Sequence, residues 1–233
     1  MTRAALAILA AILAGCSTPK PGDITGKITF SGETTQAERI DISEDEECVK
    51  LNKSGLYDNS LVVNKDGSLE NVFVYIKSGL AGEAKNLPSE AVVLDQRGCQ
   101  FAPRVLAVRA KQQIKITNSD PVTHNVHPIA KMNREWNQSQ APGDPALERR
   151  FVRPEVMIRV KCNVHSWMRS WIAVMDHPYF AITKADGSFS IPNVPPGDYT
   201  LEAWHEKLGT QEQRVHIDPS GKTTLAFQFK AAQ

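Results

Sequence analysis

The chain has 233 residues, 27 Lys and Arg against 26 Asp and Glu, 41% hydrophobic content and four cysteines. A net charge of +1 excludes the electrostatic footprint of a nucleic-acid binder, and the apolar content excludes a disordered chain. Fourteen Gly and fourteen Pro suit a loop-rich β protein. Four cysteines are too few to staple a fold of this size, so each needs its own explanation.

Arg3 is the one charge in the first nineteen residues, and Ala4 to Leu13 is apolar. Ten apolar residues are too short to cross a bilayer core of ~30 Å as a helix. A charged start before a short apolar run reads as a secretory signal. The run ends in Leu13-Ala14-Gly15-Cys16, which resembles the bacterial lipobox. The resemblance implies removal of residues 1–15 and lipidation of Cys16. Ser17, by similarity to Gram-negative lipoproteins, implies the outer membrane more than the inner, with the body in the periplasm. Ordinary signal cleavage beside an unrelated Cys is the alternative.

Residues 16–23, with Pro19, Pro21 and Gly22, read as a tether. Thr25 to Phe30 alternates as a strand and opens an N-terminal β region, 24–90. Glu44 to Glu47 reads as a solvated acidic loop. Leu61 to Val63 and Asn71 to Ile76 flank Asn64-Lys65-Asp66-Gly67, a hairpin signal. Strands follow at Ala91 to Asp95, Arg104 to Ala110 and Gln113 to Asn118. Asn133 to Glu148 reads as a long loop. Val156 to Cys162 and Trp171 to Met175 are further strands, and from Phe180 short strands recur between turn signals. Helix signals are nearly absent. The expected class is all-β, sandwich or barrel.

Cys162-Asn163-Val164-His165-Ser166-Trp167-Met168 places a thiol, an imidazole and a thioether in a tight loop between two strands. His124-Asn125-Val126-His127 stands at another strand end. Two His and one Cys with a weak axial Met is the blue-copper arrangement. These motifs resemble the cupredoxins, with a short ligand loop similar to those of amicyanin and pseudoazurin. The resemblance covers roughly Ala91 to Asp176 and implies a Greek-key β-sandwich holding one type 1 copper ion in a domain at 91–178. It implies His124 and His165 as imidazole ligands, Cys162 as the thiolate and Met168 as the axial ligand. Asn125 would tie the ligand loops together near the sulfur. His165 would be the electron exit, reaching the surface among apolar residues supplied by Trp167, Met132 and Pro128. His127 is off the matched set and reads as near the surface or against Trp167, with a second-metal or exchange residue as the alternative.

Cys48 and Cys99 have no metal spacing near them, and in an oxidising compartment they most simply pair. Pairing of Cys162 with either would leave no thiolate. Ile182 to Leu201, with Asp186-Gly187 and Pro195-Pro196-Gly197-Asp198-Tyr199, is similar to carboxypeptidase regulatory-like, prealbumin-type β-sandwiches. The segment at 179–230 is short for such a module. Gly26 to Phe30 and Val72 to Ile76 could supply its missing strands, giving a second small sandwich split around the cupredoxin. An elaborated cupredoxin with a β appendage is the simpler alternative.

The expected function is lipid-anchored single-electron transfer with a periplasmic partner, such as a c-type cytochrome or a dehydrogenase. Copper carriage or sensing, and a structural or carbohydrate-binding lipoprotein, are the alternatives. Enzyme readings fare worse. A binuclear copper centre needs a second Cys in the loop, and multicopper enzymes need further His clusters. No nucleophile elbow or phosphate loop is present. Balanced charge leads one to expect docking through a local apolar patch.

Overall fold

The structure, a computed structural model, describes residues 19–34, 36–82 and 86–231. The leader and Cys16 lie outside these residues. The chain begins with β1 (Gly22–Ser31), β2 (Arg39–Ile40), α1 (Glu46–Leu51), β3 (Leu56–Tyr57) and β4 (Phe73–Ser78). It continues through β5 (Val92–Gln96), β6 (Phe101–Ala102), β7 (Val105–Arg109), β8 (Ile114–Asn118) and β9 (His124–Ile129). Then come β10 (Gln138–Gln140), β11 (Leu147–Arg149), β12 (Glu155–Lys161) and β13 (Arg169–Met175). The last strands are β14 (Phe180–Ile182), β15 (Ser188–Val194), β16 (Gly197–His205), β17 (Gly209–Ile217) and β18 (Lys222–Lys230). The all-β expectation holds, as two β-sandwiches. Among the described residues no helix is long and apolar enough to cross a membrane.

Four sheets stack as two sandwiches. In the outer one, β15-β1-β18 faces β14-β4-β16-β17. Its core is aromatic and aliphatic, with Ile24, Ile28, Phe189, Phe227 and Phe229 almost wholly buried. β1 is the central strand of its sheet. It runs antiparallel to β15 and parallel to β18, with register from Asp23↔Lys222 to Ser31↔Lys230. Strands from both ends of the chain therefore build this sandwich. Gly26 is the close-approach point: a Cβ there would lie 2.4 Å from both Leu225 O and the Phe189 ring.

The inner sandwich pairs β10-β9-β12-β13-β7 with β11-β8-β5-β6. Its core runs from Leu94 and Ile116 to Ile158 and Ile172 and reaches Cys162 and Met168. A second layer of contact joins the sandwiches. Phe73 and Tyr75 of β4 pack with Val105 of β7 and with Ala173 and Met175 of β13. Strands β4 and β13 are thus covered on both faces. Val72 to Ile76 and Ile172 to Met175 are apolar at every position for that reason, where a half-exposed strand would alternate. Arg104 seals the edge of this contact with two 2.7 Å bonds to Glu206.

Three local readings need correction. The long loop at 133–148 contains β10 and β11. They form because buried Gln140 pays no unsatisfied-polar penalty: its Nε2 donates to Ile116 O and Pro145 O, and its Oε1 accepts from Gln96 Nε2. Leu61 to Val63 forms only an isolated bridge, Val63↔Leu69, so the hairpin signal yields a tight turn without a first strand. The acidic run contains a helix, α1. Asp45 caps it by accepting from Cys48 N at 2.9 Å, with Glu46 and Glu47 in the first turn and Lys50 in the last.

Cys48 of α1 is bonded to Cys99, a separation of 51 residues, while Cys162 is free and buried. Closing such a loop stabilises by about 4 kcal/mol in the chain-entropy picture. The bridge, with Ile42 and Leu56, fixes the segment from β2 to β3 against one end of the inner sandwich.

Candidate metal centre

His124 is the first residue of β9. Cys162 follows the last residue of β12, and Met168 precedes the first residue of β13. Because Lys161 and Arg169 are cross-strand partners, the seven residues between them must close a tight loop. Cys162 N donates to Met168 O at 3.2 Å and Met168 N to His165 O at 3.1 Å, which turns the loop inward. His165 N and Asn125 N approach Cys162 Sγ at 3.4 and 3.5 Å. Asn125 bridges the segments: its Oδ1 accepts from Asn163 N at 2.5 Å and lies 3.2 Å from Cys162 Sγ. Its Nδ2 donates to Asn137 Oδ1.

One ligand atom each from His124, Cys162 and His165 lies within 4.8 Å of the others, and all three residues are buried. Met168 is 1% exposed and packs in the core that holds Cys162 and Trp167.

Both imidazoles are fixed from behind. His124 Nε2 lies 2.9 Å from Asp120 Oδ2, and Asp120 is held by Gly98 N and Cys99 N at 2.6 and 2.7 Å. His165 Nε2 lies 3.0 Å from Asp45 Oδ2. A carboxylate on Nε2 selects the ring form whose Nε2–H donates to it and whose Nδ1 is bare. The two Nδ1 atoms then face each other at 2.9 Å. Two bare lone pairs at that distance need a cation between or beside them, whether proton or metal. Cys162 Sγ stands 3.9 Å from His165 Nδ1. One thiolate and two bare imidazole nitrogens, desolvated and converging, fit a copper ion by donor chemistry.

Protonation follows the same contacts. Burial opposes ionisation of Cys162, but the His124 side chain and the N–H groups of Asn125, His165 and Val164 outweigh it and hold the thiol down at about 6. The thiolate, the ligating form, is therefore favoured at neutral pH. Burial also opposes a charged His124, and Asp120 with Cys162 overrides it, raising that imidazole. Asp45 is lowered chiefly by its bond to His165.

The expected electron exit is not exposed. His165 is 2% exposed, roofed by α1, by Trp167 at 5.1 Å between ring centroids, and by Cys48 Sγ at 3.8 Å. Trp167 Nε1 donates to Cys99 O at 3.0 Å and locks the roof. Pro128 is buried, and exposed Met132 sits on the turn held by Glu155, so neither forms a patch around His165. His127 is half-buried against Asn163 and Glu135, not Trp167. Of the remaining histidines, His177 and His205 are packed and His216 is exposed between Asp198 and Asp218.

Sequence reasoning missed two residues, Asp45 and Asp120. Asp120 carried a signal, four residues before His124. Asp45 carried only its place ahead of a short helix.

The family described as polysaccharide lyase family 4, domain II, matches residues 153–225. No curated protein matches the chain in sequence. Among solved structures, the chain is similar to a Cu-containing nitrite reductase (NirK) from Thermus scotoductus SA-01, at 20% identity and TM-score 0.35. That match covers 42% of this chain and 25% of the reductase, so the chain spans about a quarter of that protein. It is also similar to a purple cupredoxin from Nitrosopumilus maritimus (19%, TM-score 0.32), over 36% of this chain and 99% of the other. An oxidized point mutant of amicyanin (20%, TM-score 0.34) matches 44% of this chain and 98% of its own.

Proposed function

We propose that this protein is a non-catalytic type 1 copper protein that passes single electrons in the periplasm. The carrying observation is the buried convergence of His124, Cys162 and His165, each imidazole backed by a carboxylate. A copper ion bound there would supply one-electron chemistry between Cu(II) and Cu(I). Cys162 as thiolate and the Nδ1 atoms of His124 and His165 would hold it, with the buried Met168 thioether as a further donor. Asp45, Asp120 and Asn125 keep the donors in place across both states, so little rearrangement opposes the electron. The roof over His165 supports electron transfer over carriage, because a carrier must open its ligands to exchange metal.

In this reading Cys16 carries the lipid anchor to the membrane, with the outer membrane favoured. Residues 91–178 form the cupredoxin unit, and β1 and β4 from 24–90 with 179–230 form the split regulatory-like sandwich, the β2-to-β3 segment packing on the cupredoxin unit. The partner is a redox protein such as a c-type cytochrome or a dehydrogenase. The match to a polysaccharide lyase domain runs over residues 153–225, from β12 of the inner sandwich into the outer one, and supports a second reading, a carbohydrate-contacting surface.

The test is a visible spectrum of the soluble mature chain loaded with Cu(II). An intense thiolate-to-copper band that disappears in Cys162→Ala is expected. A colourless protein that takes only Cu(I) would turn the reading to carriage, and absence of copper binding would remove both.

A further inference from the structure

The ligand-loop end of the β9–β12–β13 sheet, beyond the part covered by the outer sandwich, carries a charge pattern its own folding does not favour. Lys161 of β12 and Arg169 of β13 are direct cross-strand partners, and Arg159 stands two residues back on the same face. Like charges directly opposite each other destabilise a sheet. No ion pair to any of the three is found among the described residues. Three of the nearby acids are engaged elsewhere, while Glu38 and Asp41 line the cavity that Arg169 borders without an ion pair to it among the described residues. Glu155 holds the N–H groups of Lys131, Met132 and Asn133, and Glu135 holds His127. Asp58, across the cavity that Arg169 borders, is bonded to Lys207.

The placement is as telling as the charge. Lys161 immediately precedes Cys162, and Arg169 immediately follows Met168. The other cross-strand partner of Lys161 is His127, whose Nδ1 lies 3.2 Å from Asn163 Oδ1. One covalent step from Cys162 and one hydrogen bond thus reach a half-buried imidazole on this face. The balanced total hides a polarity. Residues 91–178 hold 13 Lys and Arg against 7 Asp and Glu, while the rest of the chain from residue 16 holds 13 against 19.

We propose that the β9–β12–β13 face is where an acidic patch of a protein redox partner docks, and that the electron travels by Cys162, Asn163 and His127, not through His165. The inference rests on the electron-transfer reading. One electron passes between the two centres, one side losing what the other gains, and no bond is made or broken. Lys161, Arg159 and Arg169 supply attraction and orientation, and the roof over His165 leaves this flank as the open approach to the thiolate.

The test uses the copper-loaded chain in stopped flow with two forms of one probe, native cationic cytochrome c and its fully succinylated, anionic derivative. At low salt the anionic form is expected to exchange electrons at least about 10-fold faster, with the advantage shrinking as ionic strength screens it. In the triple variant R159E, K161E, R169E that order inverts. The single variants Lys161→Gln and Arg159→Gln lower the anionic rate about two- to three-fold, and they keep the test decisive if the triple variant folds poorly. Lys222→Glu on β18 leaves both rates in place. His127→Phe slows exchange with both forms without changing the salt slope. An unchanged salt dependence in the charge variants, or a preference for the cationic form in the unaltered chain, overturns the proposal. So does binding to phosphatidylglycerol vesicles that is lost in the triple variant, because the face then contacts lipid. An absent visible band in the unaltered protein instead removes the underlying copper reading.

Discussion

The two sandwiches treat buried histidine in opposite ways. In the inner one, His124 and His165 have a carboxylate at Nε2 and a partner at Nδ1. At His124 the bonds to Asp120 and Cys162 override burial and raise the imidazole. In the outer one, His205 packs by Phe229, its Nδ1 accepts from Lys207 N, and its Nε2 is buried without a partner. Burial is the largest influence there, and its pKa falls to about 4. Ring nitrogens are satisfied where chemistry is placed, and an orphan is tolerated where a strand merely has to fill space. The outer half is thus a scaffold held by apolar packing, and the inner half a scaffold organised around a polar centre.

That contrast can be broken at its strongest point first. Phe227→Ala removes a fully buried ring from the outer core and is expected to lower stability by roughly 3–5 kcal/mol in denaturant unfolding. The visible band of the folded, copper-loaded protein should stay as it was. A changed band would show that the halves are not separable.

The second test follows His205 through pH. Its folded pKa, about 4, lies below the ordinary value of 6.5. Below 6.5 the unfolded chain takes a proton that the folded chain refuses, so stability is complete above 6.5 and falls as pH drops towards 4. The loss attributable to this ring is on the order of 3 kcal/mol. His205→Gln should flatten the stability curve between pH 6.5 and 4, and an unaltered slope would place the acid sensitivity elsewhere.

The smallest effect sharpens the comparison within the centre. Asp45→Asn keeps size but removes the charge behind His165. Copper affinity is expected to fall about 10- to 100-fold, the usual effect of losing a carboxylate behind a ligating imidazole. A thermal scan of the metal-free variant separates this from lost helix capping, since affinity and helix stability need not move together. If affinity is unchanged, Asp45 serves only as a cap.

Much of this was readable along the chain. The Cys162, His165 and Met168 spacing is local, and the strand pattern from Val92 to Met175 is set by alternation or unbroken apolar runs. The Cys48–Cys99 pair followed from compartment and elimination. The roof was not readable. Asp45 and His165 stand 120 residues apart, and an acidic run before a six-residue helix has the composition of any solvated loop. The outward Lys161, Arg169 and His127 row also escaped, because cross-strand neighbours become visible only once register is known. Whole-chain charge, being a sum, erased the polarity between the halves.

The parallel pairing of β1 with β18 has a consequence in time. Thr25 touches Thr224 across 199 positions, so the outer sandwich cannot close until nearly the whole chain has been made. The inner sandwich depends on no such partner. Its strands from β5 to β13 are contiguous and bring their two ends together, since β13 leads straight into β14, which pairs with β4. Once formed, it shortens the closure that β1 and β18 must make, and loop-closure entropy falls with the effective loop. The inner half is expected to act as the template on which its own support is later assembled.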